Sequence, residues 1–136
     1  MTFVLDAALT LAWFFPAERS PMTEAILGKA ADDDVVVPSI WVYELANRLS
    51  REVAASAATG ERVDAFLAML GDLALEVASP SLRGMLDSAV AHDLTAYDAA
   101  YLEIADARRI ALATLDRRLR AAAEKIGVAL LPESLD

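Results

Sequence analysis

The sequence of 136 residues contains no cysteine and a single histidine, His92. Disulfides, thiolate zinc sites and cysteine nucleophiles are therefore excluded, and so is a metal site built from several imidazoles. The chain is also poor in positive charge, because 12 Lys and Arg face 21 Asp and Glu and leave a net charge of −9. Such an acidic chain argues against a broad nucleic-acid-binding surface. Any contact with nucleic acid has to come from local groups of arginine.

Long apolar runs are missing as well. None reaches the roughly 18 residues that a membrane-spanning helix needs. The N-terminal apolar stretch has no basic start and carries Asp6 in its middle, which argues against a signal peptide. The sequence thus predicts no membrane association and a cytoplasmic location. The length fits one domain over residues 1–136, and the 57% of apolar residues predict a complete core without cross-links.

Short β-type runs alternate with longer helical patterns along the chain. The predicted strands are residues 3–5, 35–37, 75–77, 110–113 and 128–131. The first, second and fourth are apolar throughout, which is typical of strands covered on both faces, whereas the weaker third and fifth are expected at the edges. Apolar residues at helical spacing predict helices over about 39–58, 61–73, 82–90, 97–105 and 119–126. Shorter helices are expected over about 8–15 and 20–31. This alternation predicts an α/β fold with a parallel sheet and right-handed crossovers.

Carboxylates fall at or near the carboxyl ends of these strands, where open α/β sheets bind ligands. Asp6 directly follows the first strand, and Glu44 lies about one and a half turns into the helix after the second. Thr114 and Asp116 follow the fourth strand. Asp98 lies in the first turn of the preceding helix, so its placement at this edge is less direct.

Each acidic residue also has an ordinary structural explanation. Asp6 and Asp116 can cap the helices that follow them. Glu44 can pair with Arg48 at i,i+4, and Thr95 with Asp98 matches a capping box. Taken together, however, four converging carboxylates repel one another by about 3 kcal/mol per pair at ~5 Å and an effective dielectric near 20. Protons or a cation must offset this repulsion, and an all-oxygen site favours Mg²⁺ or Mn²⁺. Metal-dependent phosphodiester hydrolysis is the chemistry that such a site implies.

Four segments carry a family resemblance. They read VLDAALTLAWFFPAE, VPSIWVYELANRL, LTAYDAAYLEIA and LATLDRRL in chain order. Their order and spacing resemble the four motif regions of PIN-domain ribonucleases, in particular the small VapC-type toxins of bacterial type II toxin–antitoxin pairs. The resemblance covers essentially the whole chain.

The resemblance implies a PIN-like three-layer α/β/α sandwich around a five-stranded parallel sheet. It also implies a Mg²⁺- or Mn²⁺-dependent endoribonuclease that leaves 5′-phosphate and 3′-hydroxyl ends and is neutralised by a cognate antitoxin. Relatives are usually homodimers, and a heterotetramer or larger assembly with the antitoxin is compatible with this. One departure is Ala8, where many relatives have Ser or Thr. By resemblance the acidic metal positions are Asp6, Glu44, Asp98 and Asp116, with Thr114 and Asn47 as supporting polar neighbours.

Local arginines are the candidates for contact with RNA phosphates. They are Arg48, Arg51, Arg117 and Arg118, with Arg108, Arg109 and Arg120 as further members of the set. The aromatic residues on the early helices are expected to pack in the core, some of them facing a groove or interface; they are Trp13, Phe14, Phe15, Trp41 and Tyr43. The Asp32–Asp34 run is expected to be a solvated loop, and His92 to be structural or exposed.

Three other classes compete with this interpretation. A response-regulator receiver domain expects an aspartate after the third strand, where residues 77–79 are Val-Ala-Ser, and a lysine after its last strand. A haloacid-dehalogenase-type phosphatase needs Asp-x-Asp, where Asp6 is followed by two alanines. The alternative that stays open is a catalytically silent PIN-like binding protein that acts through its partner.

Overall fold

A computed structural model describes residues 1–136 of the chain. The five strands are β1 (Thr2–Leu5), β2 (Asp34–Pro38), β3 (Ala74–Ala78), β4 (Ala111–Ala113) and β5 (Leu130–Leu131). The seven helices are α1 (Ala7–Ala12), α2 (Pro21–Asp32), α3 (Ser39–Ala55), α4 (Thr59–Gly71), α5 (Leu82–His92), α6 (Ala96–Arg108) and α7 (Arg117–Ile126). A short 3₁₀ helix, Pro16–Glu18, follows α1.

All strand pairs are parallel, and the sheet order is β3-β2-β1-β4-β5. Phe3, Val4 and Leu5 of the central strand are each fully buried. Successive strand residues point to opposite faces, so both faces of the sheet are covered and the fold has three layers. The predicted α/β class with a five-stranded parallel sheet is confirmed, and β3 and β5 lie at the edges as expected.

Two local predictions were wrong. The first helix ends at Ala12 instead of about residue 15, because Pro16 disfavours a helical conformation at the preceding Phe15, which is extended. The Asp32–Asp34 run is not a loop, since α2 ends at Asp32 and β2 begins at Asp34. Asp33 between them accepts a hydrogen bond from the N-terminal amine of Met1 at 3.3 Å.

Two buried tryptophans fix the early helices. The indole N–H of Trp41 on α3 donates to Oγ1 of Thr10 on α1 at 3.0 Å. Thr10 in turn donates to the backbone carbonyl of Asp6 at 2.8 Å, so α3 is tied to the end of β1. Trp13 donates to the carbonyl of Thr23 on α2 at 2.8 Å. Because a buried indole N–H needs a partner, these bonds set the relative positions of the three helices.

One hydrophobic core of 29 buried residues runs through the molecule. Trp13, Phe14 and Trp41 belong to it as predicted. Phe15 packs partly buried against the core. Tyr43, by contrast, is 69% exposed.

Helix α5 leaves an apolar stripe open. Leu82, Leu86 and Val90 recur at intervals of four residues and are 77%, 49% and 76% exposed. The helix packs on α6, yet none of its residues is fully buried. No helix in the structure is both long enough and apolar enough to cross a membrane.

Candidate active site

The candidate site lies where the chain reverses its direction across the sheet. From β1 the chain runs outward through β2 to β3, and it then returns to β4 on the other side of β1. Ligands of open α/β sheets bind at this switch point, outside the carboxyl ends of the strands. Asp6 follows β1 there, and its amide donates to the carbonyl of Ala113 in β4 at 3.1 Å.

Asp6 is held in place by both of its carboxylate oxygens. Oδ1 accepts from the amide of Leu9 at 2.7 Å, which caps α1. Oδ2 accepts from Oγ1 of Thr114, a fully buried residue. Thr114 Oγ1 also accepts from the amide of Asp116 at 3.1 Å. Asp6 is therefore a helix cap and part of a chain of hydrogen bonds to the end of β4 at the same time.

The pKa of Asp6 is raised to about 6, mainly by burial and to a smaller extent by the charges of Asp116 and Glu44. The hydrogen bonds from Thr114 and Leu9 oppose this shift because they stabilise the ionised form. Desolvation is the largest cause, as expected for a residue only 6% exposed.

Glu44 approaches from the second turn of α3. Its Oε1 accepts a 2.8 Å hydrogen bond from the phenol of Tyr101 on α6. Burial raises the pKa of Glu44, the Tyr101 hydrogen bond lowers it, and the charge of Asp98 raises it. The predicted pair with Arg48 is not formed, because the Arg48 guanidinium lies over the Phe15 ring at 4.4 Å and 3.6 Å from Glu52.

The other two carboxylates lie at helix N-termini. Asp116 caps α7, and its Oδ1 accepts from the amides of Arg118 and Leu119 at 2.9 and 3.0 Å. Asp98 lies in the first turn of α6, where its amide donates to Oγ1 of Thr95 at 3.1 Å. The capping roles of Asp6 and Asp116 are thus confirmed, and these roles keep the carboxylates at the ends of β1 and β4.

The four carboxylates form an electrostatically coupled group. Asp6 responds to the charges of Glu44 and Asp116, and Glu44 responds to that of Asp98. The donors are all oxygen, which suits Mg²⁺ or Mn²⁺. No three acidic or histidine side chains stand in an arrangement that could hold a metal ion. Both carboxylate oxygens of Asp6 and Oε1 of Glu44 accept hydrogen bonds from protein donors. The chemistry of the donor set fits a metal, whereas ligation by these four residues stays a prediction.

Tyr101 is a site residue that the sequence analysis did not identify. Its phenol donates to Glu44, it lies next to the charge of Asp6, and the amide of Ala7 also approaches it. Burial and the neighbouring carboxylates raise its pKa, so it stays protonated and remains a donor. The sequence signal was its position three residues after Asp98, on the same face of α6. Tyr101 also falls at helical spacing among the apolar residues of α6, and that position indicated only a core residue.

Replacing Tyr101 with phenylalanine tests its role as a positioning residue for Glu44. Losing a hydrogen bond to a charged group costs about 1.5 kcal/mol, so we expect about a tenfold loss in kcat/KM of a reaction that depends on Glu44. The pKa of Glu44 would rise, and the acid limb of the pH–rate profile would move to higher pH. Parallel rate measurements and urea unfolding would check this. An unchanged pH profile with reduced stability would indicate a purely structural role.

The remaining predicted residues do not all lie at this edge, because Arg108 and Arg109 directly precede the amino end of β4. Asn47 is exposed one helical turn after Glu44. Arg51 and Arg117 are exposed, and neither is in any of the ion pairs that the structure forms. Arg118 donates to the carbonyl of Asp93 at 2.7 Å. Arg108 forms a two-pronged pair with Glu76, and Arg109 ends α6 in a left-handed conformation.

Arg120 is misplaced as a candidate for RNA contact. It is 5% exposed, and it donates to the carbonyls of Thr114 and Pro132 at 2.8 and 2.7 Å. It is a structural clamp between the end of β4 and the C-terminal segment.

Alanine in place of Arg120 would leave two carbonyls without a donor, so we expect a loss of about 2–4 kcal/mol in the free energy of unfolding. Arg117→Ala, an exposed control on the same helix, should stay within about 0.5 kcal/mol in the same urea titration. Equal stability of the two variants would contradict the clamp.

Comparison with known proteins agrees with this architecture. The family model described as "PIN domain" matches residues 3–125. Ribonuclease VapC3 of Pyrobaculum aerophilum is 31% identical over 136 residues, which covers 97% of this chain and 100% of that protein. The crystal structure of PAE2754 from Pyrobaculum aerophilum superposes with a TM-score of 0.67 at 22% identity, over 97% of this chain and 90% of the other; it supports the fold alone. On the family match and the VapC relative together, this chain belongs to the PIN-domain family.

Proposed function

We propose that the protein is a metal-dependent endoribonuclease toxin that hydrolyses RNA phosphodiester bonds and is neutralised by a cognate antitoxin. The observation that carries the proposal is the coupled group of four carboxylates at the switch point, with Asp6 buried at its centre. The similar Ribonuclease VapC3 supports RNA as the substrate. A protein keeps mutually repelling carboxylates together at a cost to stability when their charge serves a function.

In this proposal the position of each residue determines whether it holds the metal ion or orients another residue. Asp6 and Asp98 would be the primary holders of Mg²⁺ or Mn²⁺, and Glu44 and Asp116 would complete the group. The ion would supply Lewis acidity toward the phosphodiester. Thr114 fixes the orientation of Asp6, and Tyr101 fixes that of Glu44. The carboxylate of Asp98 accepts no hydrogen bond from the protein, and Asp116 uses only Oδ1 to cap α7. Asp98 and Oδ2 of Asp116 would therefore be available to the ion.

RNA would be bound mainly by local arginines, given the overall charge of −9. Arg51 and Arg117 are the best placed, since both are exposed and outside the ion pairs of the structure. Arg48 and Arg118 would first have to give up existing contacts. A small number of phosphate contacts implies weak binding with a shallow dependence on salt concentration.

The antitoxin would bind in the apolar groove between α3 and α4. This groove has a volume of about 680 Å³, and 11 of its 13 lining residues are hydrophobic. Val42, Val53 and Leu67 on its walls are 44%, 41% and 50% exposed. An amphipathic peptide segment recognises such a groove through its apolar face. Because α3 also carries Glu44, a segment in the groove can continue onto the site.

A homodimer is the proposed assembly, and the open apolar stripe of α5 is the surface that fits it. Leu82, Leu86 and Val90 would bury their exposed area against a second copy. Because the proposed substrate is RNA, we place the protein in the cytoplasm.

The deciding experiment is cleavage of mixed cellular RNA by the purified protein. We expect internal cuts with Mg²⁺ or Mn²⁺, none with EDTA, and inhibition by the cognate antitoxin, if one is encoded beside the gene. If the protein does not cut RNA with either ion yet binds a partner protein, the open alternative holds: a catalytically silent PIN-like binding protein.

A further inference from the structure

A second cavity opens beside the candidate site, at the carboxyl ends of β2 and β3. It has a volume of about 350 Å³. Tyr43 directly precedes Glu44, and Tyr97 directly precedes Asp98. Both tyrosines line the cavity. We refer to it as the tyrosine pocket.

The two tyrosine rings are open to solvent. Tyr43 is 69% exposed and Tyr97 is 64% exposed, which is unusual for side chains that normally bury most of their area. They are the only exposed aromatic residues of the chain, since Tyr101 and both tryptophans are buried and Phe15 is partly buried. Both rings therefore offer exposed area to the pocket, and each belongs to a residue adjacent in the chain to a candidate site carboxylate, Glu44 or Asp98.

The chemistry of the lining excludes a charged occupant. None of its residues is charged, and the only polar side chains besides the tyrosines are those of Ser39 and Ser79. A phosphate would find no cation there and would be repelled by Glu44 and Asp98 nearby. A flat, uncharged group with a hydrogen-bonding edge fits both the aromatic rings and the hydroxyls. An unstacked nucleobase has these properties.

We infer that the tyrosine pocket binds an unpaired base of the RNA substrate, next to the phosphodiester that is cleaved. The inference rests on the proposed ribonuclease function. Tyr43 and Tyr97 supply the stacking surface, and the hydroxyls of Ser39 and Ser79 contact the edge of the base. The pocket favours single-stranded or looped RNA over a duplex, because a base must leave its stack to enter. Base binding in the tyrosine pocket also compensates for the small number of arginines available to bind the RNA backbone.

The test measures cleavage of a short single-stranded RNA by Tyr43→Ala, Tyr97→Ala and the double variant. Stacking on an aromatic ring is worth a factor of about 5 to 150 per base, so we expect kcat/KM to fall at least about fivefold for each variant and further for the double one. Tyr→Phe at either position should retain most of the activity, because the ring is kept. Ile126→Ala, a change at an exposed apolar residue at the end of α7, is the matched control and should behave like wild type.

Binding is measured separately, so that failure of the pocket is distinguishable from failure of the enzyme. The Asp6→Asn protein is mixed with RNA in which 2-aminopurine replaces adenine, and the fluorescence of this base falls when it stacks on an aromatic ring. We expect quenching that is lost when Tyr43 and Tyr97 are both alanine. If the wild type cuts RNA and the alanine variants retain full kcat/KM and quenching, the pocket assignment is wrong even though the ribonuclease stands. Wild type that cuts no RNA overturns the proposed function, while quenching still decides the pocket.

A second copy of the chain is the competing occupant, because Met85 of the neighbouring α5 also lines the pocket. Sedimentation of the same variants decides between the two. An unchanged sedimentation coefficient together with lost quenching supports a base site. A dimer that dissociates in Tyr43→Ala or Tyr97→Ala, with unchanged quenching in the double variant, overturns it in favour of a subunit contact.

Discussion

Asp6→Asn is expected to lower RNA cleavage by at least about a hundredfold while making the metal-free protein more stable at neutral pH. Asparagine keeps an oxygen that can accept from the amide of Leu9, and its N–H₂ can donate to Thr114 in place of the present bond. The fold should therefore be retained. The charge that would bind a cation is removed, and with it the chemistry. Cleavage rates and urea unfolding at pH 7.5 with EDTA measure the two effects.

The sign of the stability effect follows from the pKa of Asp6. Its pKa is raised from 3.8 to about 6 in the folded protein, so the folded state binds a proton more tightly than the unfolded chain. The free energy of unfolding consequently falls as the pH rises from about 4 to about 6, and the cost is complete at pH 7.5. A shift of this size corresponds to about 2–3 kcal/mol. Asp6→Asn should gain about this amount at pH 7.5 and almost nothing at pH 4.

Asp64→Asn is the matched control, because Asp64 is an exposed carboxylate on α4. It should change neither cleavage nor stability. If Asp6→Asn cuts RNA at nearly the rate of wild type, Asp6 is not part of the active centre. If Asp6→Asn loses stability at pH 7.5, the buried charge of Asp6 does not lower the free energy of unfolding of the wild type.

Withdrawal of divalent metal should produce the second large effect. A ligand at 100 times its Kd stabilises the folded state by about 2.7 kcal/mol, which for a domain of this size is roughly 10 °C in Tm. We expect Mn²⁺ or Mg²⁺ at saturating concentration to raise the Tm of the EDTA-treated protein by about this amount and to restore cleavage. Thermal melts with and without the ion measure the shift.

The metal effect should weaken as the pH falls. Protons compete with a cation for a carboxylate, and the pKa of Asp6 near 6 places this competition between pH 7 and 5. The Tm shift should therefore shrink over this range and should be absent in Asp6→Asn at every pH. A full shift in that variant would indicate that the cation binds elsewhere.

Much of the fold was predictable because its signals are local. Apolar runs indicated both the buried strands and the weaker edges, and helical spacing indicated the five helices from α3 to α7. The order of the strands was not predictable, since Phe3 pairs with Val35 on one side and Ala111 on the other. The end of α1 at Ala12 differs from the prediction because Pro16 favours an extended conformation at Phe15.

The site residues that directly follow a strand were predictable, because their position in the chain places them at the carboxyl end of the sheet. Asp6 and Thr114 follow two neighbouring strands, so their contact follows from the topology. Contacts across helices were not predictable. Tyr101 had the spacing of a core residue, and its bond to Glu44 spans 57 positions. Arg120 lies close in sequence to Arg117 and Arg118, a pattern typical of a solvated helix face, and only tertiary packing buries its side chain.

The bond between Asp6 and Thr114 joins residues 108 positions apart, and this has a consequence for synthesis of the protein. The central strand is the first to leave the ribosome, but one of its two neighbours, β4, is made only near the end. Long-range pairing of this kind forms late. Until Thr114 and Asp116 have been translated, Asp6 lacks its partner at the end of β4. The acidic group of the candidate site is therefore completed only near the end of synthesis.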